Sequence, residues 1–154
     1  MQVNPVRADS AVEMLLSASR VMVGVAARSL PEAADVTLHQ FRALALLDTR
    51  DEFNVNTLAQ VLDVRPSTVT RLCDRLVRKG LVERHHGVTD RREVAIRVSP
   101  AGSALVADVM ARRRAAMAAI VAGMPTTGRR DLASGLASFI RASGEEPDRL
   151  WHLA

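Results

Sequence analysis

Apolar residues recur at helical spacing along most of this chain and switch to strict alternation once, near its middle. From Val12 to Ala27 they are so dense that Glu13 and Arg20 are the only charges. Ser10-Ala11-Val12-Glu13 has the form of a capping box, so the pattern predicts a helix from Ser10 to Ser29. Val12, Leu15, Leu16, Ser19, Val23 and Ala26 make one stripe. Met14, Val21, Met22 and Val25 widen it past what one buried face needs, so such a helix requires a second surface to hide in. Pro31 breaks the run. Thr37-Leu38-His39-Gln40 is a second capping box, opening a helix to about Thr49 with Leu38, Phe41, Leu44, Ala45 and Leu47 inward. Asn54-Val55-Asn56 reads as a turn, with Asn56 capping a short helix, Thr57 to Leu62, that turns Leu58, Ala59 and Leu62 inward.

After Asp63, Val64 and Arg65 the spacing predicts a helix from Pro66 to Lys79. Pro66 suits the first helical position and Gly80 the place just past the end. Two helices across so short a turn make a helix-turn-helix. Leu81–His86 and Glu93–Val98 then alternate as two strands joined by the loop Gly87–Arg92. Ser99-Pro100 starts another helix, running to about Gly123. At 1.5 Å per residue it is roughly 35 Å long, too long to be buried in one small domain. Thr126 or Thr127 caps a last helix to about Ser143, and 144–154 is a polar tail. The fold class is mainly α with a small β-hairpin wing. Its parts are an N-terminal helical arm (1–36), a helix-turn-helix and hairpin lobe (37–99) and C-terminal helices with the tail (100–154), in one intertwined domain.

The Pro66 helix divides sharply. Val69, Leu72, Cys73, Leu76 and Val77 share one side, and Ser67, Thr68, Arg71, Asp74, Arg75 and Arg78 the other. Arginine forks pair with guanine edges or phosphates, and hydroxyls reach bases or backbone, so the outer side has the chemistry of a major-groove reader. A solvated charged face has the same residues. Charge favours the first reading. The chain carries net +4, with 20 Arg and a single Lys, and between Arg65 and Arg92 eight basic residues face three acids, a local +5. A patch so localised suits a polyanion. The hairpin loop adds Arg91 and Arg92. Asp90, two residues before Arg92, can accept from its guanidinium and aim it at a narrow minor groove, or the loop is a solvated tip with a weak ion pair.

Other chemistries find little support. One cysteine excludes an internal disulfide and suits a reducing cytoplasm. Cys73 lies on the apolar side, where a small hydrophobe is the ordinary reading. His85 and His86 are neighbours on a strand and point to opposite faces, so no metal site is expected. There is no nucleotide fingerprint, no metalloprotease motif and no nucleophile–base pair fixed by spacing, so neither an enzyme nor a cofactor is indicated. The apolar runs Val21–Ala27 and Ala104–Ala111 fall short of a membrane span, and no signal-peptide pattern opens the chain.

The string from Leu58-Ala59 through Arg65-Pro66-Ser67-Thr68-Val69-Thr70-Arg71-Leu72, Asp74-Arg75-Leu76 and Lys79-Gly80-Leu81-Val82-Glu83-Arg84 resembles the MarR family of bacterial transcription regulators. So do Asp90-Arg91-Arg92 and Ile96-Arg97-Val98-Ser99-Pro100-Ala101-Gly102. The resemblance covers about Thr37 to Gly102. It implies a winged helix-turn-helix and a homodimer whose first, fifth and sixth helices interleave over a pseudo-palindromic double-stranded DNA operator. It further implies that Ser67, Thr68, Thr70, Arg71 and Arg75 enter the major groove, and that Arg92 is a wing contact oriented by Asp90. Arg65 stands where the family usually has Ser, leaving open whether it contacts DNA or only caps. Such families often bind small anionic aromatics between the DNA-binding and dimer parts. His39 and Arg42, with Met14 and Met22, are the candidates to line that pocket. A regulator without a ligand, or a winged helix used for protein contacts, remains the alternative.

Overall fold

A computed structural model describes residues 8–50, 52–86 and 94–144. Six α-helices and three strands follow in the order α1 (Ala8–Arg28), α2 (Leu38–Leu47), β1 (Phe53–Asn54), α3 (Val55–Leu62), α4 (Pro66–Arg78), β2 (Val82–His86), β3 (Val94–Val98), α5 (Pro100–Ala122) and α6 (Thr126–Ser143). The three strands form an antiparallel sheet in the order β1-β3-β2, with Phe53 opposite Ile96 and Val82 opposite Val98.

The core belongs to the lobe from α2 to the first half of α5. Leu44 and Leu47 of α2, Leu58 of α3, Val69, Cys73 and Leu76 of α4, Ile96 of β3 and Val109 of α5 are all at 0% exposure. Within α5 the buried residues are Gly102, Val106 and Val109, a single helical stripe that faces the lobe. The α2 capping box is as the sequence predicts: the Gln40 amide donates to Thr37 Oγ1 at 3.2 Å and the Thr37 amide to Gln40 Oε1 at 3.0 Å.

Three local expectations are corrected. α1 already includes Ala8, so Ser10 and Glu13 lie inside the helix and form no cap at its start. The wide apolar stripe read in α1 is open in the single chain. Val12, Leu16 and Val23 are 52%, 49% and 60% exposed, and only Val25 is buried along α1. Asn54, not Asn56, caps α3, accepting from the Thr57 amide at 2.7 Å. The cause lies one residue upstream: Phe53 is buried against the sheet, and its pairing with Ile96 makes Phe53–Asn54 a third strand. At α6, Pro125 occupies the cap position and Thr126 is already helical, so neither threonine caps.

As a helix, Asp9–Arg28 is long and apolar enough to cross a membrane. Arg20 would sit near the middle of such a span, where a charge costs about 2.5–3.5 kcal/mol. α1 instead packs along α5.

The tightest approach in the lobe lies where α4 ends and α5 begins. Gly80 takes φ 70°, ending the recognition side of the motif in the left-handed region that favours glycine. The buried Ser99 hydroxyl donates to the Gly80 carbonyl at 2.6 Å and accepts from the Gly102 amide at 3.0 Å. A Cβ on Gly102 would run into the Leu81 carbonyl oxygen and lie 2.7 Å from a Val98 methyl. Backbone cannot yield as a side-chain end can, so Gly102→Ala is expected to lower unfolding stability by about 1–3 kcal/mol. Chemical denaturation measures it, and an unchanged midpoint would contradict the packing.

Candidate nucleic-acid interface

α4 is seated by one face and offers the other. Val69, Cys73 and Leu76 are at 0% exposure, while Ser67, Thr68, Thr70, Arg71, Arg75 and Arg78 are exposed. Among the described residues Arg65, Arg71, Arg75 and Arg78 form no ion pair. Their guanidiniums and the two hydroxyls of the first turn lie on the open side of the helix, where the macrodipole also favours an anion at the N-terminus. Thr70 differs from its neighbours, because its hydroxyl donates back to the Pro66 carbonyl at 3.0 Å. Arg65 stands at the cap position without a side-chain cap bond, so its exposed guanidinium is not engaged as a cap.

Three contacts hold α4 in place besides its apolar face. Arg84 of β2 donates to Asp74 at 2.5 Å. Lys79, just past the helix end, donates to the Asp35 backbone carbonyl and to its carboxylate, the latter at 2.7 Å. The Lys79 ammonium holds the Asp35 carboxyl below the usual carboxylate range. The Ser99 clasp fixes Gly80. On the other side, Asp63 takes φ 54° and closes α3, and Val64 and Arg65 complete the turn.

An open groove runs along the turn, lined by Asn56, Gln60, Asp63, Val64, Arg65 and Pro66 among others. Asn56 and Gln60 went unrecognised in the sequence as members of this face. Assigning Asn56 as a cap hid it. With Asn54 in that role, Asn56 is exposed beside the start of α4.

β2 and β3 form the body of the predicted wing, while Asp90, Arg91 and Arg92 lie outside the described residues. The four candidate pocket residues are all at the surface of the single chain. His39 and Arg42 are exposed on α2, and Met14 and Met22 are 68% and 46% exposed on α1. None of them lines the turn groove or the second cleft, which is formed by Asp48, Thr49, Arg50, Arg97, Val98 and Ser103. Between α2 and α5 stands Arg113, one of three consecutive arginines that the sequence pattern did not single out. The Arg113 guanidinium lies over the Phe41 ring at 5.5 Å, its Nε is buried without a hydrogen-bond partner, and burial lowers its pKa.

Cys73 is wholly buried, and burial pushes its thiol up to about 11 despite the nearby Arg84 guanidinium. It is a core side chain, protonated at neutral pH, and its place agrees with the hydrophobe reading. Among the described residues no cluster of His, Cys, Asp or Glu has the arrangement of a metal site.

A three-helix lobe with an exposed, arginine-rich third helix and an antiparallel hairpin after it defines a winged helix-turn-helix protein. The sequence profile of the MarR family matches residues 36–94, from just before α2 to the start of β3. The HTH-type transcriptional repressor MdtR of Bacillus subtilis (strain 168) is 36% identical over 87 residues, 56% of this chain and 56% of that protein. The chain thus spans about half the length of such relatives. Among solved structures, RV1404 from Mycobacterium tuberculosis is 35% identical over 93% of this chain and 98% of its own, with a TM-score of 0.81. CouR from Rhodococcus jostii RHA1, solved bound to p-coumaroyl-CoA, is 25% identical over 85% of this chain and 92% of its own, with a TM-score of 0.64. Residues 36–94 of the chain are a MarR-family domain.

Proposed function

We propose that this chain is a homodimeric, DNA-binding transcription repressor acting in the cytoplasm on a pseudo-palindromic operator, and that a small aromatic anion weakens its grip. The observation that carries DNA binding is the division of α4, with three side chains at 0% exposure opposite free arginines and hydroxyls. Ser67, Thr68, Arg71 and Arg75 are the proposed major-groove contacts, with Thr70 offering only acceptor and methyl chemistry. Arg65 contacts phosphate at the turn. Arg91 and Arg92 reach the neighbouring groove from the wing, with Asp90 orienting Arg92. The repressor sense follows the name of MdtR.

Dimerisation is supported by apolar surface that nothing in one chain covers. Val12, Met14, Val21, Met22 and Val23 of α1 are 46–68% exposed, Phe139 of α6 is 51% exposed, and α6 has no buried residue. Patches of that kind mark association surfaces. In the proposed dimer, the arm of residues 1–36 and the helices from residue 100 onward interleave with a second copy, placing two α4 helices about 34 Å apart on one face of the duplex.

For the ligand, CouR is a relative bound to p-coumaroyl-CoA, and Arg113 supplies a desolvated cation between the lobe and the dimer helices. A carboxylate paired with Arg113 favours one spacing of the lobes over another, a population shift that changes DNA affinity.

Binding to duplex DNA is expected to fall by about a thousandfold or more between about 50 and 200 mM salt, as neutralised phosphates release counterions. A titration showing salt-independent affinity would remove the DNA reading. Sedimentation is expected to give twice the chain mass, and a stable monomer at micromolar concentration would remove the interleaved dimer. Benzoate or cinnamate at millimolar concentration is expected to weaken duplex binding of the wild type but not of Arg113→Met; equal responses in both would exclude Arg113 as the anion site.

A further inference from the structure

The apolar seat of α4 does not by itself fix its pitch against the sheet. Burial of Val69, Cys73 and Leu76 is non-directional, and a helix held only in this way can rock on its bed. Lys79 and the Ser99 clasp hold the end of α4, and the directed link midway along it is Asp74 to Arg84. The Arg84 guanidinium donates to the Asp74 carboxylate at 2.5 Å. Arg84 sits midway along β2, opposite Ile96, which is at 0% exposure, so its backbone is anchored in the middle of the ladder. Asp74 sits among Arg71, Arg75 and Arg78 as the only acid on the outer side of α4. A bare carboxylate there would face phosphate and oppose binding. Paired with Arg84, its charge is offset and its position fixed.

The geometry points to Asp74 and Arg84 as the joint that sets the wing hairpin against the recognition helix: they are positioning residues for DNA recognition, not DNA contacts. This rests on the DNA-binding reading. α4 and the wing must meet adjacent grooves of one duplex together, so their relative angle is part of the specificity. Arg84 reaches Asp74 through one Nη2–Oδ1 bond, and the planar guanidinium gives that bond a direction a flexible ammonium lacks. Both side chains are partly exposed, 38% for Arg84 and 44% for Asp74, so the pair adds little to overall stability. Its contribution appears in recognition.

A contact residue and a joint behave differently when removed, and Asp74 gives the sign. If electrostatics alone governed this face, Asp74→Ala would tighten binding by deleting a negative charge near phosphate. A joint predicts loss. The test is a double-mutant cycle on the full chain, Asp74→Ala, Arg84→Ala and both together, against a duplex selected from a random pool and a random duplex of equal length. Expected are about tenfold weaker binding to the selected duplex in each single variant, no further loss in the double, and closely similar melting temperatures throughout. Asp74→Ala binding as tightly as wild type or tighter, or losses that add in the double variant, would overturn the proposal. So would an equal loss on both duplexes for Arg84→Ala, which marks a phosphate contact. Should a single variant fail to fold, Asp74→Glu with Arg84→Lys runs the same cycle without deleting either charge, and full affinity in both singles counts against the joint. Wild type without salt-dependent binding to either duplex would overturn the DNA reading itself and the joint with it.

Discussion

The close approach at Gly80, Ser99 and Gly102 is the constraint on which the other parts of this fold rest. One buried hydroxyl joins the residue that ends the recognition helix to the turn that begins the longest helix. A side chain at residue 102 would open that junction, because the atom in its way is backbone. The consequence is mechanical. α5 carries one face into the lobe through Val106 and Val109 and extends the rest of its length beyond it. Whatever moves the outer part of α5 therefore moves the end of α4, without a flexible linker in which motion could dissipate.

Around that junction, charge is distributed with a division of labour. Three acids around the recognition helix are engaged: Asp74 by Arg84, Asp35 by Lys79, and Glu83 by His85 at 3.1 Å. Among the described residues the arginines of the outward face form no ion pair. Pairing of the acids leaves the positive field of the segment concentrated on one side, the arrangement that steers a polyanion by long-range attraction before any contact forms. The chain's one lysine lies off that face, in a tether to the segment that leaves α1.

Much of this was legible in the residues. Helix periods, the Thr37–Gln40 box, the Pro66 start and the Gly80 stop specify their elements locally, because each depends on side chains within one turn of the backbone groups they satisfy. What was not legible depends on distant partners. Asn54 and Asn56 are equally good caps by type; burial of Phe53 against Ile96, 43 positions away, decides between them and adds a strand. Arg113 looks like a surface cation in a run of three, and only the seating of α5 on α2 puts its guanidinium over Phe41. The α1 periodicity identifies an apolar face too wide for one chain to bury, without saying what covers it.

α6 carries that last point further. It is an 18-residue helix with no buried side chain, and a helix of that length in water is marginal without tertiary contacts. On the homodimeric reading its order is lent by a second copy, so its folding equilibrium is written in protein concentration as much as in sequence. At the low copy numbers of a cell, synthesis itself then sets how much of the chain is assembled, and the abundance of the regulator becomes an input to its own structure.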